Sequence, residues 1–335
     1  MIFEAGNLHP STPHLFADLA ELLLLSRWIG RSTLHKNDLK SLINQGVISS
    51  EEIDEEESAE EEARQTNCST AEISSRMEKQ LDDVFIQLNY RMETLKENYP
   101  FSIVGETISL KESLTGKERI YRLLLSCSRL RSFNKRGVAQ RWAEHFTKLS
   151  KIAMKGLVPN HASVRIFDAN SDDRRTHYTT DLRKALKRLG KEIGALHILE
   201  SECDNAGASG DAGLDLVAII DFEDNAAINY ALFGQSGAQE TGWPNKTLEA
   251  HAFRYRNYFH MQFDYPGLMF TPVLYRDSQG AWVDNQATNG ILLIDRQRML
   301  KLLSLQNQWQ SIVTEPWFAQ FETEFAELST TDTEE

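Results

Sequence analysis

Three cysteines are too few, and too irregularly placed, to build a covalent or metal-bound framework. Cys68, Cys127 and Cys203 share no paired spacing in a chain of 335 residues. That excludes a disulfide scaffold and a zinc site, and it points to the reducing cytoplasm. Long hydrophobic runs are also missing. The longest leucine block, Leu22 to Leu25, belongs to an amphipathic helix and falls far short of a bilayer span, so no membrane partner is expected. No basic segment followed by an apolar one opens the chain, so no signal peptide is expected either. Nor does any internal repeat stand out.

Basic charge is missing where acid is densest. Nine acidic residues and no basic ones lie between Glu51 and Glu62, so the net charge of −13 leaves only −4 for the rest. A run of this composition has little apolar surface to bury and reads as a disordered linker. The chain is long enough for two folding units with a sizeable core. The reading is a helical N-terminal segment over 1–50, an acidic linker over 51–68, a helical region over 69–136, a larger domain over 137–325 and an acidic tail over 326–335. Basic residues gather at Arg129, Arg131, Lys135, Arg136 and Arg141 and again from Arg174 to Lys191. They could track phosphates or simply solvate helix faces.

Helical signals dominate the first part. Pro13 suits a first helical turn leading through Leu25, and Lys36 to Asn44 reads as a second helix. Ser69-Thr70-Ala71-Glu72 is a capping box. Behind it Ile73, Met77, Leu81, Val84, Leu88, Met92 and Leu95 form one stripe, which packs within the protein or against a second copy as a homodimer. Phe101 to Leu110 reads as a strand, Lys117 to Leu130 as a helix. In the next helix, Trp142, Phe146, Leu149 and Ala153 share a buried face.

The most informative stretch runs from Gly207 to Lys246. A glycine-rich turn (Gly207, Gly210, Gly213) leads into an apolar run, Leu214 to Ile220, that carries Asp215. A polar joint, Asp221 to Asn225, separates it from a second run, Ile228 to Gly234, as in a hairpin. Asp215 then starts one strand and Gln235 ends its neighbour. Pro244 suits a helix start, and Leu248, Ala252, Tyr255 and Phe259 recur behind it at helical spacing. Lys246 would sit in that first turn, where the macrodipole disfavours a cation unless a carboxylate cluster or a phosphate faces it. Trp243 reads as a packing residue fixing the turn. A carboxylate, an amide and a lysine at one sheet edge suit a metal and a phosphate.

Gly210-Asp211-Ala212-Gly213-Leu214-Asp215 resembles the G-D-x-G-[IL]-D signature of Mrr-type restriction enzymes, which belong to the PD-(D/E)xK nuclease superfamily. The resemblance covers roughly residues 137 to 275. It implies a restriction-endonuclease-like α/β (equivalently α+β) fold, a mixed central sheet flanked by helices. It also implies that Asp215 binds Mg2+ or Mn2+, and that Gln235 fills the acidic-or-Gln position on the next strand. Gly237 stands where the family has lysine, and Lys246 is the expected replacement. The family's helix glutamate corresponds to Thr147, and Glu144, three residues earlier, is the candidate metal ligand in its place. The function implied is metal-dependent cleavage of DNA in restriction or phage defence, with a protein that selects the target as the implied partner. The alternative is a nuclease fold without chemistry, serving as a binding or assembly module.

Overall fold

The computed structural model describes residues 12–27, 29–45, 70–133, 135–224, 226–239 and 242–330. The acidic run, Ser69 of the capping box and the end of the acidic tail lie outside these. The chain is mixed α/β. It divides into two compact units, the first made of Met1–Trp142, Val273–Val283 and Trp309–Glu335, the second of Ala143–Pro272 and Asp284–Gln308. The region read as one domain over 137–325 therefore contributes to both, because the chain leaves the second unit twice.

In the first unit, α1 (Pro13–Leu25) is buried along nearly its whole length, its His14, Asp18 and Glu21 together with its leucines. β1 (Thr33–His35) leads into α2 (Lys36–Asn44), and α3 (Thr70–Leu95) turns Leu81, Val84, Leu88 and Leu95 inward. The expected single strand over 101–110 is instead a hairpin, β2 (Phe101–Val104) and β3 (Thr107–Leu110). Gly105, at φ +57, supplies the left-handed turn residue between them. These strands form an antiparallel sheet in the order β1-β3-β2. Thr115 and Glu118 cap α4 (Gly116–Ser128) reciprocally.

Inside this unit lies a buried ionic network that hydrophobic patterning alone did not register. Arg91, fully buried on α3, donates to Asp18 at 2.7 Å, to Glu21 at 2.8 Å and to the His14 carbonyl at 2.6 Å. Tyr99 and Tyr121 hydroxyls complete the Glu21 carboxylate, and Ser128 the Asp18 carboxylate.

The next helix, α5 (Val138–Lys155), buries Trp142, Phe146, Leu149 and Ala153 on the expected face. It leads into the second unit, with β4 (Ser163–Ile166), α6 (Leu182–Glu192), β5 (His197–Ile198), α7 (Glu200–Asn205), β6 (Leu216–Ile220) and β7 (Tyr230–Ser236). After them come α8 (Ala252–Tyr255), β8 (Phe259–His260), β9 (Gly267–Phe270), β10 (Leu292–Ile294) and α9 (Arg296–Gln306). The central sheet has the order β10-β9-β7-β6-β4. Its β4–β6–β7 part is antiparallel, whereas β7–β9 and β9–β10 are parallel. α6 packs Leu182, Leu186 and Leu189 into a core that also holds Phe233, Tyr255 and Phe259. Gly190 permits the close approach, since a Cβ there would stand 2.8 Å from the Phe259 ring. The first unit is completed by α10 (Trp309–Val313) and α11 (Pro316–Thr330), whose Phe321 and Phe325 surround Trp142.

The long helix expected after Pro244 does not form. Trp243–Lys246 is a single 3-10 turn, α8 has only four residues, and Phe259 belongs to a strand. The Thr247 hydroxyl bonds back to the Pro244 carbonyl, and His251 caps α8 by accepting the Phe253 N–H. Pairing of Phe259 with Ile198 then takes the chain out of helix. The spacing is helical, but Leu248 is exposed ahead of α8, Ala252 and Tyr255 are buried on α8, and Phe259 is buried in β8.

Candidate metal centre

The site assembles where β6 begins. The Gly-rich turn places Gly210 at φ +91, Ala212 at φ +58 and Gly213 at φ +78, values that favour glycine. The Asp211 carboxylate accepts the Gly213 N–H at 2.8 Å and fixes the turn from within. Asp215 follows. Its carbonyl accepts the Phe167 N–H on the β4 side, and its N–H donates to the Gly234 carbonyl at 3.0 Å on the β7 side. Leu216 is already the ladder partner of Gly234, so two residues oppose one, as at a β-bulge. The Asp215 carboxylate reaches across and accepts the Ser236 N–H at 2.7 Å.

Three carboxylates gather here. Asp168, in the turn after β4, joins Asp211 and Asp215, each offering an oxygen within 4.8 Å of the other two. The Asp168 carboxylate also accepts the Asn170 N–H. Asp215 is buried, and burial first, then repulsion from Asp211, Asp168 and Glu249, pushes its carboxyl up to about 7 against the opposing Ser236 N–H.

Arg174 braces the cluster from behind. Its guanidinium is buried over the Phe167 ring, 4.3 Å from the centroid, and donates to the carbonyls of Phe167 at 2.7 Å and Thr179 at 2.7 Å, and more weakly to Gly210 at 3.4 Å. Phe167 and Gly210 each precede a cluster aspartate. Burial lowers the Arg174 pKa, and Asp211 and Asp168 act against that. Tyr255 holds the turn from the other side, its hydroxyl donating to the Ala212 carbonyl at 3.2 Å.

Gln235 lies near the end of β7, the strand next to Asp215, as the sequence implied. It is buried, and its Oε1 has no hydrogen-bond partner among the described residues. Thr147, where the resemblance expects glutamate, does face this strand end, its hydroxyl 3.3 Å from the Ser236 Oγ. Glu144 is exposed on α5 and is not one of the gathered carboxylates. Asp168 and Asp211 stand there instead. In the sequence Asp211 stands only as part of the glycine-rich motif, and Asp168 carries no signal beyond its place after a short strand. Lys246 is half-buried at the close of a 3-10 turn and makes no ion pair among the described residues. The dipole argument for it fails with the helix.

The basic clusters are largely spoken for. Arg141 pairs with Glu324, Lys135 with Glu327, Arg183 with Asp181, and Lys187 with Asp204 and Glu200. Among the described residues no helix is long and apolar enough to cross a membrane. Comparison with protein-family models, curated proteins and solved structures gave no match.

Proposed function

We propose that the Asp168–Asp211–Asp215 cluster is a divalent-metal site, and that the chain is a metal-dependent endonuclease of the PD-(D/E)xK kind acting on DNA. The observation that carries this reading is the convergence of the three carboxylates, one of them buried, at the motif that resembles Mrr-type enzymes. The donor set fits Mg2+ or Mn2+, since it offers hard carboxylate oxygens and neither thiolate nor imidazole. A cation there would relieve the repulsion that, with burial, raises Asp215. The mixed sheet is compatible with the fold that the resemblance implies.

The metal would supply Lewis-acid stabilisation of the phosphoryl charge and a lowered water pKa. The chain's own residues have separate tasks. Asp215, bound to the Ser236 N–H, is the anchoring ligand; Asp168 and Asp211 complete the oxygen set; Arg174 and Tyr255 hold the two turns. Gln235 can present a carbonyl oxygen or an amide but is no general base. Lys246 is assigned to the phosphate backbone.

The test is calorimetric titration of Mn2+ and Mg2+ into the wild type and Asp215→Asn, alongside incubation of plasmid, linear DNA and RNA with and without metal. The wild type should bind metal and cut DNA, and the variant should do neither. Absence of metal binding by the wild type would end the reading. Metal binding without cleavage of any substrate would favour a binding or assembly module, the second reading, which Gly237 and Thr147 in place of the family's lysine and glutamate support.

A further inference from the structure

The segment after β7 is tied to the glycine-rich turn at two points. Tyr255 donates to the Ala212 carbonyl, and a Cβ at Gly213 would lie 3.0 Å from the Glu249 Cβ. On this same segment Phe253 is 70% exposed and Leu248 55% exposed. Phe253 is the most exposed of the large aromatic side chains among the described residues. Beside them stand Lys246 and the exposed Arg254, neither with an ion-pair partner among the described residues. Arg256, by contrast, is neutralised by Asp264 at 2.7 Å.

An exposed aromatic ring on a short segment that also carries two cations without an ion pair among the described residues is what a single strand of nucleic acid needs. Its bases are unstacked and offer their faces to an aromatic ring, while its phosphates need positive charge. A duplex hides those faces in its own stack. The carboxylate cluster alone would repel the strand, so the attraction has to come from the adjoining segment. We infer that residues 246–254 form a platform for a single-stranded stretch of nucleic acid, Phe253 stacking on a base and Arg254 and Lys246 contacting phosphates. This rests on the proposed nuclease reading and names its substrate form as single-stranded or locally opened DNA.

The experiment is fluorescence anisotropy with a labelled oligothymidylate of about 12 nucleotides, within the size range of single-strand sites, and with a duplex of equal length. Both are measured in EDTA and in Ca2+, across a salt series. The wild type should prefer the single strand. Phe253→Ala should weaken its binding about tenfold at unchanged melting temperature, because the side chain is exposed. Arg254→Gln and Lys246→Gln should each lower the salt slope by about one. Undiminished binding by Phe253→Ala, preference for duplex, or no binding to either probe would overturn the inference. The arms separate the two readings: stacking at Phe253 with no metal binding keeps the platform and removes the nuclease. Metal binding at Asp215 with an indifferent Phe253 does the reverse.

Discussion

Met269, with Trp243 behind it, fills the space that a side chain at Gly237 would need. A Cβ at position 237 would stand 3.0 Å from the Trp243 Cβ and overlap the Met269 Cε, and both neighbours are buried. The glycine that departs from the family's lysine is therefore a packing requirement of this strand end. Its substitution and the burial of Trp243 go together.

Gly237→Lys should consequently destabilise the protein by about 1–3 kcal/mol, the usual cost of overpacking, and should not create or restore cleavage. Chemical denaturation of the variant checks the first part. A variant as stable as wild type would mean that Met269 and Trp243 yield easily and that the packing argument is wrong.

The raised Asp215 carboxyl gives a signed pH dependence. Its folded pKa is about 7 and its unfolded value about 4. Between these the unfolded chain has released a proton that the native state still holds, so stability falls as pH rises through this window. The metal-free protein should therefore lose part of its melting temperature between pH 5 and pH 8, and Asp215→Asn should remove that part. Metal must displace the same proton, so the rise in melting temperature on adding Mn2+ should be larger at pH 8 than at pH 6. Identical pH profiles for wild type and variant would show that the carboxyl is already ionised at pH 5.

In the first unit, Arg91 holds two fully buried carboxylates. Arg91→Met should cost about 3–5 kcal/mol, since Asp18 and Glu21 would stay buried without their cation. The triple replacement Arg91→Met, Asp18→Asn, Glu21→Gln should recover much of the loss. Failure of the triple variant to improve on the single one would mean that hydrogen-bond geometry, not uncompensated charge, sets the cost.

Local chemistry was legible in the sequence wherever it was sufficient. The sequence by itself determined the helices that repeat an apolar face, such as Val138–Lys155, and the hairpin that joins Leu216–Ile220 to Tyr230–Ser236. It also placed Asp215 and Gln235 on adjacent strands, because two apolar runs and a polar joint define a hairpin without help from the rest of the chain. Only the tertiary structure decided which carboxylates join Asp215. Asp168 lies 47 residues before Asp215, and it arrives there because β4 pairs antiparallel with β6, a contact that periodicity does not encode. Glu144 is the candidate that helix spacing offers, yet its side chain is exposed on α5. The stripe after Pro244 misled for a related reason: Leu248, Ala252, Tyr255 and Phe259 keep helical spacing while a hydroxyl bond, a histidine cap and a strand pairing divide them. Burial of Arg91 likewise depended on two acids from a different helix. Spacing fixes what one element can bury, whereas the partners that element meets are set by contacts between residues far apart in the chain.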